Sequence, residues 1–157
     1  MAKEREKPSN ITRQLLKYNR IIFILSIAGA AIALYVFQSF VREVPILCVN
    51  TGCETVRKSA YSNLLGIPVP GYGLIGYSLM TILAFIRTTS KNPKLLIGIL
   101  GIATFGVLFV TWFTLTEIFL INAICTWCAV SAGIMTVIFI LALKSFLLER
   151  KYHAPHQ

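Results

Sequence analysis

Residues 95–116 read LLIGILGIATFGVLFVTWFTLT, which is 22 consecutive residues without a charge between Lys94 and Glu117. A helix crosses the hydrocarbon core of a bilayer with about 20 apolar residues, so this stretch is long enough to span a membrane. Three other uncharged runs are comparable: 21 residues after Arg20, 28 after Lys58 and 26 after Glu117. The four predicted spans are residues 21–40, 71–86, 95–116 and 123–143.

The composition of the whole chain agrees with this pattern. Of the 157 residues, 56% are hydrophobic and only 13% are charged, whereas soluble domains have about 25% charged residues. A chain of this size cannot bury so much apolar surface in water, and the unbroken apolar runs favour helices over a barrel. The sequence predicts an all-α integral membrane protein. A four-helix bundle (21–143) is preceded by a basic arm (1–20) and followed by a tail (144–157).

The basic residues predict the orientation of the bundle. Twelve of the fifteen Lys and Arg residues fall on the side that holds both termini and the 87–94 loop, and only Arg42, Arg57 and Lys58 fall on the other side. The positive-inside rule therefore predicts cytoplasmic termini and an extracytoplasmic loop at 41–70. The net charge of +9 is explained by topology, and with no recognisable binding module we expect no nucleic-acid partner.

The four cysteines form two close pairs, Cys48 with Cys53 in the outer loop and Cys125 with Cys128 at the start of the fourth span. All four fall on the extracytoplasmic side, where disulfides persist. Asn122 as N-cap would place Cys125 in the first turn of the helix, whose dipole favours the nucleophilic thiolate. The pattern predicts a relay from a mobile loop dithiol to a dithiol at the membrane boundary and on to a lipid-borne quinone.

Two structural roles for the cysteines stay open at this point. They could form stabilising disulfides or a zinc site with four thiolate ligands. A bond between residues three apart in one helix closes too short a loop to stabilise the fold much, which favours the redox interpretation.

Other residues near the cysteines are candidates for the same site. The mixture of charged and apolar residues over 54–66 indicates a short amphipathic helix at the interface. Glu117 is either an interface charge or a proton relay. The aromatic residues Tyr72, Phe113 and Trp127 are packing or interface residues, and Trp127, inside the C-x-x-C, is expected nearest the acceptor.

Several stretches together resemble the vitamin K epoxide reductase family, most closely its bacterial and archaeal members without a fused thioredoxin-like domain. They are CVNTGC (48–53), Ser59, GIPVPGYG (66–73) and EIFLINAICTWC (117–128). The resemblance covers roughly residues 15–145. The disulfide bond protein B family also has four helices and two cysteine pairs, but its C-x-x-C lies in the first periplasmic loop.

The resemblance implies a bundle around a quinone, with the outer loop folded over it. Cys48 would exchange with a separate thioredoxin-like oxidase, Cys53 would attack Cys125, and Cys128 would face the quinone. Ser59 matches a family serine on a short helix that covers the quinone. The residues expected to contact the quinone are Ser59, Tyr72, Phe113, Glu117 and Trp127.

These expectations define a membrane thiol oxidoreductase that supports oxidative protein folding, with ubiquinone or menaquinone as electron acceptor and no metal. It would lie in the inner or cell membrane of a bacterium or archaeon. Vertebrate members have a tyrosine where this chain has Ala132, so quinone reduction is favoured over epoxide reduction. The rival functions are a carrier of soft metal ions that uses the paired cysteines and a structural membrane subunit.

Overall fold

The computed structural model describes residues 8–48, 52–90 and 92–153. Its helices, in chain order, are α1 (Pro8–Arg42), α2 (Gly52–Lys58), α3 (Val69–Thr89), α4 (Pro93–Thr116) and α5 (Thr126–His153). Helices α1, α3, α4 and α5 are each long and apolar enough to cross a membrane. The prediction of an all-α membrane protein with four spans is confirmed.

Helix α1 is longer than the predicted first span, because residues 8–20 continue the same helix. Asn19 in this extension is buried, and its side-chain amide donates to the carbonyl of Ala84 at 3.0 Å and to the Thr88 hydroxyl at 3.1 Å. The described part of the predicted N-terminal arm is therefore packed against the end of α3. Helix α5 likewise extends to His153, so the predicted tail is helical up to that residue; residues 1–7 and 154–157 lie outside the described part.

Prolines lie in the first turn of two of the membrane helices. Pro70 lies in the first turn of α3, where the missing N–H breaks no helical hydrogen bond, so α3 starts at Val69 rather than at residue 71. Pro93 begins α4 after Asn92, whose side chain accepts from the backbone N–H of Lys94 at 3.0 Å. Such an N-cap satisfies a backbone donor that the helix leaves unpaired.

The core of the bundle has two parts. In the middle of the spans, α1 packs against α3 and α5, and α4 packs against α5 and α3. Buried residues there include Ile22, Tyr77, Met80, Ile99 and Ile138. A second cluster of buried side chains, the outer cluster, joins the loop to the end of the bundle. It consists of Val36, Ile46, Cys53, Val56, Val69, Phe113 and Cys125.

The outer loop contains less helix than the sequence predicts. Helix α2 ends at Lys58, and a 3₁₀ turn (Ala60–Ser62) and a two-residue hairpin (Asn63–Leu64 with Ile67–Pro68) follow. Leu65 and Gly66 form the hairpin turn with φ of 53° and 82°, the positive-φ pair that tight antiparallel hairpins favour. The single amphipathic helix predicted over 54–66 is therefore wrong beyond Lys58, because extended and turn backbone replaces it.

Candidate functional site

The loop cysteines form a disulfide. Cys48 and Cys53 are bonded with their Cα atoms 6.4 Å apart. Cys53, the second residue of α2, is 1% exposed and belongs to the outer cluster, and the half-buried Cys48 packs against this cluster. The loop pair, which the sequence predicts to be mobile, is docked onto the bundle in this structure by the apolar contacts of α2.

Two aromatic side chains hold the segment that enters this disulfide. The indole N–H of Trp127 donates to the carbonyl of Leu47 at 2.8 Å, and the backbone N–H of Leu47 donates to the Tyr35 hydroxyl at 3.2 Å. The two rings meet edge-on with centroids 5.4 Å apart. This Tyr35–Leu47–Trp127 clasp ties the residue before Cys48 to α1 and to the C-x-x-C segment.

Replacing Trp127 by phenylalanine should loosen the docked loop. An aromatic ring is kept at this position, but one hydrogen bond of about 1 kcal/mol is lost, which corresponds to about a fivefold larger undocked population. We expect a small thiol reductant to open the Cys48–Cys53 disulfide about fivefold faster in W127F, because Cys53 is buried only while the loop is docked. Trp112→Phe is the matched control, since Trp112 packs on Phe109 and Phe113 of α4. Equal reduction rates in both variants would contradict the clasp.

The second cysteine pair lies at the junction between α4 and α5. Asn122 does not cap α5: it adopts a left-handed conformation (φ 53°) and ends the turn that follows α4. The prediction that Cys125 lies in the first turn of the helix is therefore wrong, because α5 begins at Thr126. Cys125 immediately precedes α5, and its carbonyl accepts the helical hydrogen bond from the N–H of Ala129 at 3.0 Å.

This cap position still favours the Cys125 thiolate. A hydrogen bond from the Cys128 thiol lowers the pKa of Cys125, and the backbone N–H groups of Cys128 and Trp127 act in the same direction, whereas burial and the charge of Glu117 oppose them. Free N–H groups at a helix N-terminus stabilise an anion. Both thiols are free, and Cys125 is 2% exposed. Cys125 is therefore suited to be one of the sulfurs that exchange.

Glu117 is the acidic residue next to the Cys125–Cys128 pair. It begins a π-helical turn (Glu117–Ile121) after α4 and is 1% exposed, so it is not an interface charge. Its carboxylate lies beside the Cys125–Cys128 pair. One ligand atom each of Glu117, Cys125 and Cys128 lies within 4.8 Å of the others, a spacing at which a soft cation could also fit while the thiols are reduced.

A large apolar cavity opens between α1, α3, α4 and α5 beside Cys128. It has a volume of about 890 Å³, including its open mouth. Aromatic and aliphatic side chains dominate its wall, and the polar side chains on it include Thr114 and Ser131. The aromatic residues on the wall are Tyr72, Tyr77, Phe105, Phe109, Phe113 and Trp127.

Three of the five residues expected to contact a quinone line this cavity: Tyr72, Phe113 and Trp127. Ser59 and Glu117 are not among its lining residues. The Ser59 hydroxyl accepts from the N–H of Tyr61 at 3.2 Å and caps the 3₁₀ turn, so its side chain has a structural role here. Glu117 lies next to Cys125 and Cys128 instead.

Sequence reasoning missed a polar pair on the cavity wall. The hydroxyl of Tyr77 donates to the carbonyl of Ser131 at 2.8 Å and lies 3.1 Å from the Ser131 hydroxyl. Ser131 follows Cys128 by three residues, and residues at this spacing share one face of a helix. That spacing was the available signal, whereas the approach of Tyr77 depends on how α3 packs against α5.

A smaller cavity of about 270 Å³ connects the two cysteine pairs. Cys53, Cys125 and Cys128 all line it. Val36 and Phe113 line both this cavity and the large one, so the two spaces are neighbours. Of the four cysteines, Cys128 is the one found on the walls of both.

These features define a class of protein: a multi-pass membrane protein with two cysteine pairs, one of them a disulfide, at the same end of the bundle. The model of the Vitamin K epoxide reductase family matches residues 20–143. The chain belongs to this family, as its cysteine and Gly/Pro stretches predicted, and so to a family of membrane thiol oxidoreductases. No curated protein matches the chain.

Proposed function

We propose that the protein takes electrons from a thioredoxin-like disulfide-forming protein through Cys48 and Cys53 and delivers them through Cys125 and Cys128 to a membrane quinone. The observation that supports this best is the position of Cys128. It shares a small cavity with Cys53 and Cys125 and also lines the large apolar cavity. Electrons that reach Cys128 would therefore arrive beside a space that a lipid-soluble ring fits.

The large cavity suits a quinone as the electron-accepting substrate. Small-molecule sites are typically concave and lined by apolar and aromatic groups with a few polar ones. Flat rings of Tyr72, Phe109 and Trp127 offer faces and edges for stacking. The hydroxyl of Ser131 is a candidate hydrogen-bond donor to a quinone carbonyl. Ubiquinone and menaquinone both have such a carbonyl-bearing ring.

The proposed reaction is a series of thiol–disulfide exchanges, each of which breaks one S–S bond and forms another. The thiolate of the reduced partner attacks Cys48, forms a mixed disulfide and releases Cys53; a second partner thiol then attacks the mixed disulfide and frees Cys48. The Cys53 thiolate attacks Cys125 in the Cys125–Cys128 disulfide and releases Cys128. Cys48 resolves the Cys53–Cys125 bond, and the resulting dithiol gives two electrons and two protons to the quinone.

The net effect is oxidation of the partner protein and reduction of the quinone. The partner would then oxidise folding proteins, which is the proposed role in oxidative protein folding. The Cys48–Cys53 disulfide and the free thiols of Cys125 and Cys128 support this order, because the proposed cycle passes through such a combination before the quinone is reduced.

We propose further that the cysteine end of the bundle is extracytoplasmic in a bacterial or archaeal cell membrane. The opposite end is rich in basic residues, among them Arg13, Lys17 and Arg20 at the start of α1. At that end Arg87 pairs with Glu149 at 3.2 Å. The positive-inside rule places such an end in the cytoplasm.

Carriage of a soft metal ion is the rival function. The reduced pair with Glu117 offers three donors. A carrier also needs ligands along a path through the membrane, and the space next to Cys128 is a mainly apolar cavity. The geometry therefore favours electron transfer to an apolar acceptor.

Counting free thiols tests the proposal. The protein in lipid nanodiscs, reduced and freed of reductant under anaerobic conditions, is mixed with a soluble quinone analogue, and free thiols are alkylated and located by mass spectrometry. We expect Cys125 and Cys128 to lose their free thiols only when quinone is present, and a Cys128→Ser variant to show no such loss. Thiols that persist in the wild-type protein after quinone addition would contradict the proposed function.

A further inference from the structure

We propose that Glu117 is a catalytic residue that accepts the thiol proton of Cys128 when the Cys125–Cys128 dithiol is oxidised. The proposal rests on the proposed function and assigns it a proton acceptor. Glu117 lies beside the reacting atoms, since one of its carboxylate oxygens and the sulfurs of Cys125 and Cys128 all lie within 4.8 Å of one another.

The burial of Glu117 calls for a function. A carboxylate taken out of water is strongly disfavoured unless it is paired or hydrogen-bonded, and ionisable residues at membrane depth usually serve a functional site. The ion pairs seen in the described part of the chain are Glu54–Arg57 and Arg87–Glu149, so no described cation neutralises Glu117. An acid in this position is suited to changing its protonation state during turnover.

One carboxylate oxygen is free to take the proton. Oε1 of Glu117 is buried and has no hydrogen-bond partner among the described residues. Buried polar atoms without a partner are rare in folded proteins, and protonation would remove the uncompensated charge.

The backbone between Glu117 and the cysteines is built to bring them together. The π-helical turn and the left-handed Asn122 reverse the chain, and the N–H of Ala123 donates to the carbonyl of Glu117 at 3.2 Å. Cys125 is thereby brought next to Glu117, which lies eight positions earlier in the chain. Single π-helical turns of this kind often occur at functional sites.

The proton and electron balance is complete. Oxidation of the dithiol releases two electrons and two protons, and the quinone takes up two of each. Cys125 is the sulfur whose thiolate the helix terminus favours, and the proton of Cys128 passes to Glu117 as the S–S bond forms. Glu117 then gives up this proton, which together with the proton lost by Cys125 makes up the two that the quinone takes up as it becomes quinol, and the carboxylate is regenerated.

The test compares Glu117→Gln with the wild-type protein in nanodiscs, with a soluble quinone analogue. Glutamine keeps the size and an acceptor oxygen but cannot take up the proton. General acid–base groups typically contribute about 10²–10⁴-fold to a rate, so we expect kcat for quinone-dependent dithiol oxidation to fall about 100-fold with an unchanged KM. Opening of Cys48–Cys53 by a small thiol should stay within twofold, because that disulfide does not contact Glu117. Glu54→Gln, which changes a glutamate at the same end of the bundle, should leave both rates unchanged.

The variants separate the possible outcomes. Glu117→Asp keeps a carboxylate, and we expect it to retain at least about a tenth of the wild-type rate. This loss is smaller than the roughly 100-fold loss expected when a general base is removed. An E117Q variant within threefold of wild type, or an E117D variant as slow as E117Q, would overturn the role of Glu117 while leaving the proposed function intact. If quinone does not oxidise the wild-type thiols, both the proposed function and the role of Glu117 are overturned.

Discussion

Replacing Cys48 by alanine is expected to trap a disulfide between Cys53 and Cys125. The Cys53 thiolate can still attack the oxidised C-x-x-C pair, but the thiol that resolves the resulting bond is missing. Cys53 and Cys125 belong to the same buried outer cluster and line the same small cavity, so the attack needs no large movement of the bundle. Turnover with the thioredoxin-like partner should fall to background. Peptide mapping under non-reducing conditions, after incubation of the variant with quinone, measures the trapped bond.

The other cysteines provide the controls for this trap. A Cys48→Ala, Cys125→Ser double variant should show no Cys53 cross-link, because the attacked sulfur is gone. A Cys48→Ala, Cys128→Ser variant cannot form the internal pair that is attacked, so it should also lack the trap. If peptide mapping of the single variant instead links Cys53 to Cys128, the order of the relay is wrong and Cys125 would be the sulfur that reduces the quinone.

The membrane helices could be predicted from hydropathy because the bilayer imposes one dominant requirement, a run of apolar residues long enough to span it. Residues 95–116 meet this requirement by themselves, and α4 (Pro93–Thr116) follows closely. The ends of the helices depend on contacts that hydropathy does not contain. Helix α1 begins at Pro8, well before the predicted span. In this early part of the helix, the side chain of Asn19 donates to the carbonyl of Ala84 in α3, a contact between residues 65 positions apart.

The cysteine pairs could be found from spacing, but their surroundings could not. Asn122 is a favoured N-cap residue, yet it adopts the left-handed conformation, which asparagine also tolerates, and ends the π-helical turn. The left-handed conformation of Asn122 shifts the start of α5 to Thr126. It also brings Glu117 next to the sulfurs of Cys125 and Cys128. Nothing in the local sequence decides between the two roles of Asn122, because the difference lies in the packing of α4 against α5.

Some of the residues that line the large cavity could likewise be predicted from the sequence, whereas others depend on how the helices pack. Trp127 was expected near the acceptor from its place between the two cysteines, and it does line the cavity. Ser59 was expected there from the family resemblance, but its hydroxyl caps a turn in the outer loop. Ser131 was missed, since a serine in an apolar helix is common and only its neighbours Tyr77 and Cys128 give it a candidate role.

Filling the large cavity from Gly76 is expected to block quinone reduction while leaving the thiol exchanges intact. Gly76 lines the cavity, and a Cβ added there meets no atom within 4 Å. Leucine at this position therefore has room to enter the space without displacing the helices. We expect KM for the quinone analogue to rise at least about tenfold, since even small changes in a hydrophobic pocket alter binding by about 10–200-fold. Stopped-flow absorbance of quinone reduction by the pre-reduced protein measures this constant.

Gly101→Leu is the matched control, because an added Cβ there also meets no atom within 4 Å and Gly101 is not among the cavity residues. Both variants place leucine in a membrane helix, so a loss of folding common to them would appear in both. Reduction of Cys48–Cys53 by the partner should be the same in wild type, G76L and G101L, because that disulfide lies in the outer loop. A G76L variant with wild-type KM would show that the acceptor binds elsewhere, and electrons would then leave Cys128 by a route other than the apolar cavity.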